Sequence, residues 1–76
     1  MNYEKYIVSD KAILGGQPVI KGTRVTLRTV LASLADGDTP EQIVTAYPTL
    51  RLEDVRAVIA FAASSAQEDI PLPRVA

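Results

Sequence analysis

The chain contains neither cysteine nor histidine. That excludes disulfides, thiolate zinc sites, and any catalytic dyad or triad that needs a thiolate or an imidazole. A metal site built from carboxylates alone would need acids that converge. The nine acidic residues instead fall mostly singly or as helix-start pairs such as Glu53-Asp54. No metal, no cofactor and no enzymatic activity are therefore expected. No apolar run approaches the roughly 20 residues of a membrane span, and the opening Met-Asn-Tyr-Glu-Lys-Tyr lacks the basic-then-apolar layout of a signal peptide. The expected location is the cytoplasm.

What is present is enough for one small domain. The 76 residues are 47% apolar, so the body should be globular, with modest stability because so short a chain buries little surface. Size alone makes a homodimer or a bound partner plausible. The net charge is −1, unevenly spread. Residues 1–30 hold five bases (Lys5, Lys11, Lys21, Arg24, Arg28) against two acids, whereas residues 31–76 hold three bases against seven acids. The basic N-terminal part could meet phosphates, although so small an excess is a weak electrostatic footprint.

Tyr6-Ile7-Val8 is a short β-favouring run. Farther on, Ile13-Leu14 and Val19-Ile20 bracket Gly15-Gly16-Gln17-Pro18, which reads as two strands around a turn. Gly22-Thr23 makes a second turn. Gly15, Gly16, Pro18, Gly22 and Arg24 are accordingly assigned structural turn roles, with Arg24 bonding to nearby carbonyls. The glycines have neither phosphate-loop nor dinucleotide-loop spacing, so nucleotide binding is not expected.

Three helices follow. Thr26 can cap a helix in which Leu27, Val30, Leu31 and Leu34 form one stripe, stopped by Gly37. Thr39-Pro40-Glu41-Gln42 is a capping box with proline at the first helical position, opening a short helix that Pro48 ends. The third helix starts near Leu52. Leu52, Val55, Val58, Ile59 and Ala62, widened by Phe61 and Ala63, are read as its core side, with Glu53, Arg56, Ala57, Ala60 and Ser64 outside. Residues 65–76, with Pro71, Pro73 and Glu68-Asp69, are read as an extended tail. The expected fold is mainly α: residues 1–64 form a three-helix, helix-turn-helix-like core with a short N-terminal β-hairpin. A generic three-helix bundle is the alternative.

The residues just described resemble a small prokaryotic family, domain of unknown function 433. Ile13-Leu14-Gly15-Gly16-Gln17-Pro18-Val19-Ile20-Lys21-Gly22-Thr23-Arg24-Val25 carries most of the likeness. Gly37, Thr39-Pro40-Glu41-Gln42-Ile43, Tyr47-Pro48 and Leu52-Glu53-Asp54-Val55-Arg56 join it. The resemblance implies a helix-turn-helix-like protein similar to VapB-type antitoxins, whose partner is a PIN-like nuclease toxin. The chain departs from the family in having Arg51 where Thr or Ser commonly caps the third helix, and in a short, proline-containing end.

On that footing the expected function is the antitoxin of a type II toxin–antitoxin system. It would neutralise a PIN-like endoribonuclease by direct binding and repress its own operon. The alternative is a DNA-binding transcriptional regulator with no toxin partner. If the third helix is a recognition helix, Arg51 and Arg56 would reach the major groove, with Lys21 and Arg28 on phosphates. Glu53 and Asp54 oppose this in the same turn, and Arg56 could instead pair with Glu53. For the toxin, Ile70, Leu72 and Val75 could fill a groove while Arg74 reaches the acidic metal centre expected of such a nuclease.

Overall fold

The computed structural model describes residues 3–69. After a 3-10 turn at Tyr3–Lys5 come β1 (Ile7–Val8), a second 3-10 turn (Leu14–Gly16), β2 (Val19–Ile20), α1 (Leu27–Ala35), α2 (Pro40–Ala46) and α3 (Leu52–Asp69). The protein is mainly α, three helices and a two-stranded antiparallel hairpin, as the sequence suggests.

The strand paired with Val19-Ile20 is not Ile13-Leu14, however. Ile7 lies opposite Ile20 and Val8 opposite Val19. The reason is backbone conformation. Leu14, Gly15 and Gly16 have φ of 50°, 68° and 89°, left-handed values that coil the chain and cannot extend it into a strand. Asp10 accepts from the Ala12 N–H at 2.9 Å, the Ile13 N–H reaches the Asp10 carbonyl at 2.9 Å, and the Ser9 hydroxyl donates to the Gly16 carbonyl. The β-favouring run at residues 6–8 supplies the strand instead.

β2 is hydrogen-bonded on both sides, to β1 and to the segment that leads into α1. On one side is β1; on the other, the Ile20 N–H bonds the Val25 carbonyl at 2.9 Å and the Leu27 N–H bonds the Pro18 carbonyl at 3.1 Å. The intervening turn uses Gly22 at φ 80°. It is closed by Thr23, whose hydroxyl donates to the Ile20 carbonyl at 2.8 Å and accepts from the Val25 N–H at 3.1 Å. This corrects the role given to Arg24. That side chain is exposed and makes none of these bonds, because the β-hydroxyl next door already satisfies the carbonyl within reach.

α1 begins where expected, with the Thr26 hydroxyl accepting from the Thr29 N–H at 3.1 Å. It ends in a paired C-terminal cap, Asp38 N–H to Ser33 carbonyl and Gly37 N–H to Leu34 carbonyl, both at 3.0 Å. At the start of α2 both halves of the capping box form: Gln42 N–H to Thr39 hydroxyl at 3.1 Å and Thr39 N–H to Gln42 Oε1 at 2.7 Å.

α3 packs against both other helices. Ile20, Leu27, Val30, Ile43, Leu50, Val55 and Val58 form the buried cluster, each side chain stabilising the fold by roughly 1.5–3 kcal/mol relative to exposure. Two expectations for α3 need correction. Leu52 and Ile59 are 37% and 42% exposed and Ala63 is exposed too, whereas Ala57 is fully buried. The side turned inward is the one that brings Val55 and Val58 into the central cluster; it also buries Asp54, only 5% exposed, which accepts the Arg51 N–H at 2.9 Å. Asp54, Val58 and Phe61 then share the inner side. The second correction concerns length: α3 continues through residues 65–69, past the division expected at residue 64. Nothing in Ser65-Ala66-Gln67-Glu68-Asp69 breaks a helix, and the next proline after Pro48 is Pro71.

Candidate interaction surfaces of the helical core

Residues expected to touch DNA are not gathered into one face by local bonding. Arg51 stands at the α3 N-terminus, where its guanidinium meets Glu53 at 3.5 Å and Asp54 at 3.7 Å. The acids that opposed DNA contact in the sequence thus hold the best-placed arginine. Arg56 is exposed and does not take Glu53, which pairs with Arg51 instead. Lys21 is exposed in the turn after β2, and Arg28 is exposed in the first turn of α1. The toxin contacts expected at Ile70, Leu72, Arg74 and Val75 lie outside the described residues.

The rotation of α3 creates a surface that the sequence pattern did not reveal. Leu52, Arg56, Ile59, Ala63 and Ala66 are all exposed. They recur at intervals of four, three, four and three residues, the spacing of a helix-pairing seam. In sequence the next step of that spacing is Ile70. Four of the five side chains are apolar, and Arg56 is the one cation among them.

A second surface lies on the opposite side of α3. Phe61, with Leu27, Leu31, Ala32 and Ala35 of α1 and Pro18 of the preceding loop, lines an open groove of about 680 Å³, with Arg28 at its edge. Tyr3 braces this side by meeting Phe61 edge-on, ring centres 5.4 Å apart. Tyr3 had no role in the sequence pattern, and Thr23 stood there only as part of the second turn. Tyr3 belongs to no periodic stripe, and Thr23 could have been recognised only as a turn hydroxyl.

Among the described residues, no group of three or more Cys, His, Asp or Glu side chains converges as a metal site, and no helix is long and apolar enough to cross a membrane. With both surfaces defined, the family can be stated. Residues 7–62 match the family described as "Protein of unknown function (DUF433)".

The chain belongs to the DUF433 family.

The matched span runs from β1 to the inner side of α3, so it includes the whole core and stops short of the last helical turns. The chain is also 41% identical over 56 residues to "Uncharacterized protein y4eO" of Sinorhizobium fredii (strain NBRC 101917 / NGR234). The alignment covers 74% of this chain but 25% of that relative, so this DUF433 unit corresponds to about a quarter of the longer protein. No solved structure matches the chain.

Proposed function

We propose that this DUF433 protein is the antitoxin of a type II toxin–antitoxin pair. It acts in the cytoplasm without catalysis of its own, binding and neutralising a PIN-like endoribonuclease, with repression of its own operon as a second role. The observation that carries the reading is the exposed seam Leu52, Arg56, Ile59, Ala63 and Ala66 on α3. An amphipathic helix that keeps a spare apolar seam suits docking into a partner's groove at anchors spaced by three and four residues. Arg56, in the middle of the seam, offers a cation to an acidic nuclease centre. Ile70, Leu72, Arg74 and Val75, outside the described residues, are proposed as further toxin contacts.

The rival reading places α3 in the major groove of DNA as a regulator without a toxin. Arg56 suits it, but exposed Leu52 and Ile59 flank that arginine, Glu53 shares its end of the helix, and Arg51 is already paired with two carboxylates. Such a surface favours protein over phosphate.

The test mixes the chain with the product of the neighbouring gene and follows RNA cleavage. Ile59→Asp should abolish inhibition while the helical signal stays intact; unimpaired inhibition by that variant removes the seam from the mechanism. A gel shift on the chain's own promoter separates the rival. DNA binding lost in Arg56→Ala, with no inhibition of any nuclease by the unmodified chain, would replace the antitoxin reading.

A further inference from the structure

α1 carries its charges the wrong way round for a helix standing alone. Its first turn has no acid and contains Arg28, beside the positive end of the helix dipole. Its last turn has no base and is closed by Asp36, beside the negative end. Both placements oppose the usual preference. Arg28 and Asp36 are exposed, and the ion pairs found among the described residues involve neither.

Arg28, Ala32 and Asp36 follow one another at one-turn steps along one edge of the helix. The first two line the apolar groove, and Asp36 follows directly on its lining residue Ala35. The pattern is symmetric about Ala32: a cation one turn before it, an anion one turn after. We propose that the occupant of this groove is α1 of a second copy of the chain, lying antiparallel and crossing at Ala32.

A twofold axis at Ala32 brings each Arg28 beside the partner's Asp36, twice over. It also brings each Arg28 to the negative end of the facing helix and each Asp36 to the positive end, so both misplacements within one copy become favourable between two. Ala32 and Ala35 allow the helices to approach closely, while Leu31 and Phe61 supply apolar area. Such an interface is isologous, the same patch meeting itself. It uses the side of α3 that carries Phe61 and leaves the Leu52–Ala66 seam uncovered, so it stands or falls independently of the antitoxin reading.

Sedimentation equilibrium on the full chain tests this, with circular dichroism to follow folding. The unmodified chain should be a dimer, and Ala32→Arg, at an exposed position, should be a helical monomer. Arg28→Asp and Asp36→Arg each improve the helix's own dipole balance, so neither threatens folding. Each should nevertheless raise the dimer dissociation constant by about tenfold, since two symmetry-related pairs become like-charged. Combining them reverses the pattern and should restore the dimer. A monomeric unmodified chain would overturn the proposal. So would a dimer indifferent to Ala32→Arg, or a double variant no tighter than the singles.

Discussion

The two sides of α3 are made of similar residues and do opposite things. Inward, Val55 and Val58 are fully buried beside Ala57; outward, Leu52 and Ile59 remain more than a third exposed. Hydrophobicity does not distinguish them, since isoleucine is at least as apolar as valine. What decides is position around the helix. Val55 and Val58 face the buried cluster with Leu27, Val30 and Ile43, whereas Leu52 and Ile59 lie on the far side. An apolar residue's fate on a short helix thus depends on which turn faces the neighbouring helices.

The sharpest way to break this comparison is to place the same charge on each side. Val58→Asp buries an unpaired carboxylate and should cost more than about 3 kcal/mol, unfolding so small a domain in a urea titration. Ile59→Asp should shift the same titration by less than about 0.5 kcal/mol, as exposed substitutions do. If the two variants lose similar stability, Ile59 is packed and the outer seam does not exist.

Next in size is the buried carboxylate at the helix start. Asp54→Ala removes the acceptor for the Arg51 N–H and should destabilise by about 1–2 kcal/mol, whereas Glu53→Ala, one position away, should change little. Thermal melts of the pair would show whether capping or mere negative charge near the helix start matters. A third measurement compares helix starts. Thr39→Ala dismantles one half of the α2 capping box and should cost about 1 kcal/mol, read as a lowered denaturation midpoint. Smallest of all, Arg51→Ala loses two contacts from a side chain 68% exposed and should stay within about 0.5 kcal/mol. A larger loss would mean that the guanidinium, and not only its backbone N–H, orients Asp54.

The parts of this fold that the sequence disclosed are those governed by near neighbours. Thr39 and Gln42 cap α2 across three residues, and Thr26 caps α1 in the same way, so spacing alone identifies them. The α1 stripe was legible because Leu27, Val30, Leu31 and Leu34 have few apolar competitors. α3 offered too many: Leu52, Val55, Val58, Ile59, Phe61 and Ala62 cover much of its circumference. The hairpin was misread for a related reason. Ile13-Leu14 lies nearer to Val19-Ile20 along the chain than Ile7-Val8 does, and only the left-handed conformation of residues 14–16 removes it from contention. The surfaces proposed for partners follow from these phases, so they became visible only once the helices were oriented.

The edge-on contact of Tyr3 with Phe61 has a consequence for how this unit is used. Tyr3 precedes the start of the DUF433 match and Phe61 lies almost at its end, so the chain enters and leaves the family core at neighbouring points in space. A unit with that property can be spliced into a longer polypeptide without being prised apart. In one relative the matching stretch makes up a quarter of the whole length, so the core does occur within a longer polypeptide.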